Sequence, residues 1–361
     1  MGEPLTSIVV CTFNRAAMLR DALSSLVAQQ TDFEYEVVVV DNGSSDDTRE
    51  AVDAIANETA TPVRYFREDQ RGVSWARNRG ITEARGEWIA FCDDDQIADD
   101  NWLQMLMDFA SEKGVLWAGG QVRLLMDDDE LLSLPTECRG LLGESWGLAE
   151  PRRYAGKVTP GTGNLLVQKD VFARVGVFDT SLIEGGEDTD LFRRIDAAGI
   201  VGWYTPAAIV RHMVPPYRRE PRYFLWASRR IGWQLAKREY RRWGGPILVL
   251  RLAARAAQCW LRFRPTLWRG CLLRSESQVL TGKCQVSRWT GYRDSALSLL
   301  LPTWFGSAER AASVDFSAER EMFGETVAPV ARRTLGSGRP PVPSDSGSRK
   351  PSETTNQEVS I

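Results

Sequence analysis

Trp88-Ile89-Ala90-Phe91-Cys92-Asp93-Asp94-Asp95 sets five apolar residues directly against three carboxylates. The apolar run has the length and continuity of a buried strand, so the acids stand where that strand leaves its sheet. Upstream, Ser7 to Thr12 and Glu36 to Val40 are two more apolar runs rich in β-branched residues, and Val63 to Phe66 is a further strand candidate. Between them lie helical patterns. Leu19, Ala22, Leu23, Leu26 and Val27 recur at helical spacing behind Asn14, a candidate N-cap; Thr48 to Ala56 follows Asp46, another; and Val73 to Ala84 precedes the quoted stretch. Strands alternating with helices predict an α/β fold with a mostly parallel sheet and right-handed crossovers. In such sheets ligands bind beyond the carboxyl ends of the strands. Cys11 to Arg15, Asp41 to Ser44 and Asp93 to Asp95 all fall at those ends.

Downstream of Val122 the pattern loosens, and Arg123 to Lys157 reads as an irregular connection over the strand ends. A helix near Lys169 to Val175 follows, then Gly185-Gly186 and a helix opening on Glu187-Asp188-Thr189-Asp190 and running to Ala198. Strand-like pieces at Val201 to Tyr204 and Ala208 to Arg211 lead to His212, the only histidine. A basic helix with several aromatics spans Arg222 to Trp243, and amphipathic segments continue to about Phe305. The final stretch is rich in Ser, Pro, Gly and Thr and is expected to be disordered.

The net charge of -3 conceals an asymmetry. Arg211 to Thr290 holds eighteen Arg and Lys against three acids, a charge of +15, which leaves -18 on the remainder. Two surfaces with different partners are expected from such a division. The six cysteines contain no C-x-x-C pair and are read as reduced thiols of a cytosolic protein. The first strand begins within about seven residues of Met1, which leaves no room for a signal peptide. No run reaches the roughly 18 to 20 apolar residues of a membrane span. A cytoplasmic location follows as the expectation.

Three groups could do chemistry. Asp93-Asp94-Asp95 could hold a hard divalent cation, Mg²⁺ or Mn²⁺, which favours carboxylates together with phosphate oxygens. Such a triplet alone is as often a solvated acidic loop; its place at the end of a buried strand favours the site. Glu187-Asp188 opens a helix, where acids also serve the helix dipole without any catalysis. The glycine pair before them gives Asp188 mobility and access, whereas Asp190 lies further along the helix and reads as a capping acid. His212 near a sheet edge suits a transition metal as well as a structural role.

These residues, taken with their neighbours, resemble the inverting glycosyltransferases of family 2, which have the GT-A fold. The resemblance runs from Ser7 to His212. It rests on Cys-Thr-Phe-Asn-Arg at Cys11 to Arg15, Val-Asp-Asn-Gly-Ser-Ser-Asp ending at Asp46, and Gly-Val-Ser-Trp-Ala-Arg-Asn-Arg-Gly ending at Gly80. It continues through the triplet, Gly-Thr-Gly-Asn-Leu-Leu from Gly161, Val-Gly-Val-Phe-Asp ending at Asp179, Glu-Asp-Thr-Asp-Leu from Glu187, and His212. It implies a Rossmann-like GT-A domain at 1–215, to which charge and composition add a basic helical extension at 216–310 and a disordered tail at 333–361. It implies a nucleotide-diphosphate sugar as donor, with Thr12, Phe13, Asn14 and Arg15 lining the nucleotide pocket and Asp41 reading the base. Arg77 and Asn78 would lie near the base and diphosphate. Asp93 would lie near the ribose and Asp95 on the Mn²⁺ or Mg²⁺, with Asp94 the spacer of the same donor-binding triplet. His212 matches a further metal ligand, Asp188 the catalytic base, and Glu187 the residue that orients the acceptor. Cell-surface polysaccharide or glycolipid synthesis is the implied setting, with a saccharide or lipid-linked acceptor.

Departures from the family pattern are small. Cys11 stands where proline is frequent, and Gln96 where another acid is common. Gln285-Val-Ser-Arg288-Trp289 matches the Q-x-x-R-W string of processive polysaccharide synthases, but it lies far past Asp188 with no membrane span beside it, and we read it as coincidence. A sugar-1-phosphate nucleotidyltransferase would place a Gly-rich basic loop after the first strand, where this chain has Cys-Thr-Phe-Asn-Arg. Against a non-catalytic nucleotide-sugar-binding protein of the same fold stand Asp93, Asp95, Asp188 and His212, all of which this chain has. No early strand leads into G-x-G-x-x-G, which excludes an ordinary dehydrogenase. The basic extension is either a helical subdomain with a solvated cationic face or a peripheral dock on the anionic inner face of the cell membrane, with Trp226, Trp233, Trp243 and Trp260 at the interface. No nucleic-acid-binding motif accompanies the charge.

Overall fold

The computed structural model describes residues 5–145, 149–154, 160–182 and 185–305. Its first part follows the alternating pattern closely. Strands β1 (Thr6–Thr12), β2 (Tyr35–Asp41), β3 (Val63–Arg67) and β4 (Trp88–Cys92) alternate with helices α1 (Ala16–Leu26), α2 (Thr48–Glu58) and α3 (Val73–Glu83). β1 lies between β2 and β4, all parallel, with Thr12 level with Asp41. Their alternating valines and isoleucines face two cores. Ile8, Val10, Val37 and Val39 pack toward Leu19, Leu23 and Trp102 on one side; Val9, Val38 and Val40 pack toward Ile81, Phe91 and Phe178 on the other. A strand buried on both faces needs such continuous apolar runs.

Beyond Cys92 the sheet changes direction. The chain continues through β5 (Gln96–Ala98), α4 (Trp102–Lys113), β6 (Trp117–Leu125), α5 (Asp128–Ser133), α6 (Thr136–Leu141) and β7 (Arg152–Arg153). Then come β8 (Asn164–Gln168), α7 (Lys169–Val175), α8 (Glu187–Ala197) and β9 (Trp203–Met213). Among the described residues nine strands form one sheet in the order β3-β2-β1-β4-β8-β6-β9-β5, with β7 paired to β9. β8 is antiparallel to both β4 and β6, whereas β6 and β9 are parallel. The α/β expectation holds; the parallel order describes β1 to β4, and the second half is mixed.

Local expectations needed correction in three places. The stretch from Arg123 is not irregular throughout, since it contains the end of β6 and the short helices α5 and α6. The two strand pieces before His212 are one strand, and His212 lies within it, level with Gln96 of β5. Asn14 does not cap α1: it takes a left-handed φ of 51°, and the Ala16 N–H donates instead to Asp46 Oδ2 at 3.0 Å. Asp46 thus closes the start of α1 from a neighbouring loop, a pairing that no local spacing encodes.

The basic region is helical. α9 (Pro221–Gln258) breaks at Gly244, whose φ of 73° only glycine adopts readily, with Pro246 just beyond. A π-helical turn at Cys259–Phe263 leads into α10 (Arg264–Leu272), and α11 (Glu276–Leu300) returns along α9. The two long helices touch backbone to backbone. A Cβ on Gly232 would sit 1.9 Å from the Arg288 carbonyl oxygen, and one on Gly291 would sit 2.0 Å from that of Arg229. Trp233, expected at an interface, is buried here. Gln285 and Arg288 both hold Glu137 of α6, at 3.3 and 2.8 Å, so these two residues of the Q-x-x-R-W string tie the helices to the segment after β6. The expected tail at 333–361 lies outside the described residues.

Candidate active site

The strand ends that converge are those of β1, β2 and β4. The triplet leaves β4 with its three carboxylates turned to different tasks. Asp94 is buried: the Thr12 hydroxyl donates to its Oδ2 at 2.8 Å and Arg15 Nη1 to its Oδ1 at 2.7 Å. Burial raises the Asp94 carboxyl above its ordinary value even though Arg15 pulls it down. Asp94 therefore fastens the end of β1 to the end of β4. Asp95 Oδ2 lies 3.0 Å from Arg15, 3.3 Å from His212 Nε2 and 3.8 Å from Arg218. Burial opposes the Asp95 charge, but His212, Arg15 and Arg218 together hold its carboxyl well below the usual carboxylate range. Asp93 is the half-exposed member and faces Arg77 at 3.7 Å.

His212 is positioned by its neighbours. Its Nδ1 lies 2.6 Å from the Leu142 carbonyl oxygen, which can only accept, so Nδ1 carries the hydrogen and Nε2 is directed at Asp95. Burial lowers the imidazole pKa, but the Asp95 carboxylate more than compensates and raises it above the ordinary value. A carbonyl that fixes one ring nitrogen while the other faces a carboxylate is also the arrangement that prepares a histidine for a metal ion. Asp95 and His212 suit a divalent cation as a pair. Among the described residues no third His, Cys, Asp or Glu joins them, so such a cation would complete its shell from phosphate oxygens and water.

Arg77 is the hub of the second half of the site. From α3, its Nη1 donates to Glu187 Oε1 and Asp188 Oδ1, each at 2.9 Å, while Nη2 faces Asp93. One buried guanidinium thus ties the end of β4 to the start of α8, which begins 110 residues after Arg77 itself. Thr162 also donates its hydroxyl to Asp188 Oδ1. Both donors address the same oxygen, and among the described residues nothing donates to Asp188 Oδ2. Glu187 Oε2 is buried and likewise has no partner among them. A buried carboxylate oxygen without a donor is costly unless something supplies one. Asp190 turns away and pairs with Arg194 one turn along the helix, at 2.9 Å.

The remaining predicted residues divide. Phe13 is exposed beneath the Arg71 guanidinium, 4.3 Å from its ring centroid. Asn14 Oδ1 accepts from the Ser45 N–H at 2.8 Å. Asp41 is buried, with Oδ1 accepting from the Ser44 N–H at 2.7 Å and Oδ2 from the Tyr65 hydroxyl at 2.6 Å. Asn78 is not directed at the strand ends: its amide donates to the Phe178 carbonyl and accepts from the Phe178 N–H, each at 2.9 Å. That reciprocal pair anchors the chain on its way to α8.

Sequence reasoning gave no role to Thr162, Gly163 or Arg218, although the first two lie in a quoted motif. Gly163 leaves room for Asp93: a Cβ there would stand 2.2 Å from Asp93 Oδ2. Arg218 sits in the basic run after Pro215-Pro216 and carries no spacing signal that would have found it.

Against known proteins, residues 7–131 match the family model described as Glycosyl transferase family 2. The chain is 30% identical over 239 residues to the succinoglycan biosynthesis protein ExoM of Rhizobium meliloti (strain 1021), covering 65% of this chain and 71% of that protein. It is 27% identical over 219 residues to the glycosyltransferase AglE of Haloferax volcanii, covering 59% and 68% of the two. Among solved structures, the mannosyltransferase PcManGT from Pyrobaculum calidifontis, in complex with GDP-Man and Mn²⁺, superposes with a TM-score of 0.55 at 20% identity over 84% of this chain and 88% of that one. At that identity the likeness bears on the fold, which is GT-A.

Proposed function

The chain belongs to glycosyl transferase family 2 and is a glycosyltransferase, and from that premise we propose that it moves a sugar from a nucleotide diphosphate to an acceptor hydroxyl with inversion at the anomeric carbon. The observation that carries this reading is the Arg77 hub, which brings Asp93 of the strand-end triplet beside a carboxylate, Asp188, whose Oδ2 meets no donor among the described residues. Direct displacement needs one base. As the acceptor oxygen bonds to the anomeric carbon, Asp188 Oδ2 takes its proton. The bond to the phosphate oxygen breaks with its electron pair staying on the departing nucleotide diphosphate. Glu187 Oε2 would accept a second hydroxyl of the acceptor and fix its approach. Arg77 holds both carboxylates in place. Arg15 and Arg218 present positive charge on the side of Asp95, where the diphosphate would lie. A divalent cation held by Asp95 and His212 would neutralise charge on the leaving group. Polysaccharide synthesis is the setting that the succinoglycan biosynthesis relative favours.

A panel of nucleotide sugars with Mn²⁺ or Mg²⁺, followed by nucleotide release and product analysis, tests this. Turnover of one donor with inverted product is expected. Retained configuration, or binding without any turnover, would overturn the proposal, the latter in favour of a binding protein. In the same assay Asp95→Asn and His212→Ala should each weaken Mn²⁺-dependent nucleotide binding by about 10- to 100-fold. An unaltered metal titration in both would remove them as ligands.

Gly163→Ala addresses Asp93. The half-exposed carboxylate can swing away from the added methyl, so the fold should survive with its melting temperature within a few degrees. Donor affinity is expected to fall about tenfold if Asp93 contacts the nucleotide, a loss of roughly 1.4 kcal/mol. Unchanged affinity measured by calorimetry would place Asp93 outside the donor site.

A further inference from the structure

The segment from Tyr240 to Ser275 contains eight arginines and no acidic residue. It forms the second arm of α9, the π-helical turn and α10. One face of this segment is packed: Leu248, Cys259 and Gly270 are buried, and a Cβ on Gly270 would strike the backbone of α11 at Gln278 and Val279. The opposite face is apolar as well, and it is open. Leu250 is 71% exposed, Leu261 80%, Trp268 80% and Leu272 83%, with Val249 and Trp260 beside them. Their spacing keeps them on one side of the rod, because the residues between them that pack inward recur at helical intervals. Contiguous large side chains this exposed mark an interaction surface rather than ordinary surface scatter.

Charge identifies the occupant. Arg262, Arg264, Arg269 and Arg274 are exposed along the same segment, and Arg264 lies 3.8 Å over the Trp260 ring. The acids that flank the segment do not balance them: Glu239 is buried against Arg251 and Arg255, and Glu276 starts α11. A second copy docked on this face would bring arginine against arginine. A bilayer with anionic headgroups offers negative charge around the rim and hydrocarbon beneath it, which matches both features of the face. Among the described residues no helix is long and apolar enough to cross a membrane, so the face would lie on the surface. We propose that Val249 to Leu273 is an interfacial membrane dock for anionic lipid. It replaces the tryptophan set expected from sequence: Trp233 is buried, and Trp243 is half-buried beneath the guanidiniums of Arg242 and Arg251, whereas Trp260 stays and Leu261, Trp268 and Leu272 join it.

Flotation of the full chain with phosphatidylcholine vesicles, with and without phosphatidylglycerol, tests the proposal. Binding should be at least about tenfold stronger with phosphatidylglycerol and should fall as salt rises. The triple substitution L261E/W268E/L272E should reduce that binding at least about tenfold, with melting and donor turnover unchanged because these side chains lie outside the core. The pair R262Q/R269Q should weaken binding only to the anionic vesicles and flatten its salt dependence. Flotation of the triple variant equal to that of the native chain would overturn the proposal, as would no flotation of the native chain. A native dimer by sedimentation that the triple variant abolishes, without lipid binding, would assign the face to self-association instead.

Discussion

Asp188→Asn is expected to lower sugar transfer by about 10²- to 10⁴-fold while leaving donor binding and thermal stability close to native. The geometry makes this substitution unusually clean. Arg77 and Thr162 both donate to Oδ1, and an asparagine can keep its carbonyl oxygen in that position. The amide nitrogen then replaces Oδ2, the oxygen that meets no donor among the described residues. An amide nitrogen cannot accept a proton, so the change removes the base and little else. Glu187 still holds Arg77 at 2.9 Å, so the hub stays anchored. Single-turnover transfer and donor titration by calorimetry should separate the two effects. A variant that transfers at the native rate would reassign the base; one that loses donor affinity equally would make Asp188 a donor-site residue.

Arg77→Met should have the largest effect on the molecule as a whole. Its side chain is 9% exposed and lies between three carboxylates, those of Asp93, Glu187 and Asp188. Methionine fills similar volume but leaves the buried Glu187 without its donor and brings three negative groups together with nothing between them. Removing one partner of a buried ion pair costs about 3–5 kcal/mol. The start of α8 is expected to detach from the end of β4, so transfer should fall at least as far as in Asp188→Asn, this time with donor binding lost as well. Urea unfolding followed by donor titration checks both parts. Native stability in this variant would show that the carboxylates are held by something other than Arg77. Arg77→Lys should recover some stability but little activity, because an ammonium cannot span Glu187, Asp188 and Asp93 as the planar fork does.

Much of this molecule is legible along the chain. Apolar runs of strand length, helical spacing between them and acids at the strand ends are local signals, and they place β1 to β4 and the helices between them. The GT-A resemblance then pointed to Asp188 from its neighbours in sequence. Other features are not local. Asp46 closes α1 across thirty residues, the Leu142 carbonyl orients His212 across seventy, and Arg77 meets Glu187 across 110. No periodicity records such pairings, because they depend on where the sheet brings distant loops. For the same reason the sequence reading put Trp233 at the expected interface and gave Trp268 no role, yet Trp233 is buried and Trp268 open.

The sequence by itself determined that Trp88 to Cys92 is a buried strand and that three carboxylates follow it, because strand burial and strand termination are properties of a short window. Only the tertiary structure decided what each carboxylate does. Asp94 is spent on Thr12 and Arg15, Asp95 faces His212, and Asp93 faces Arg77, because β1, β9 and α3 each present a different partner to the same turn. Three identical side chains acquire three roles from the elements packed around them.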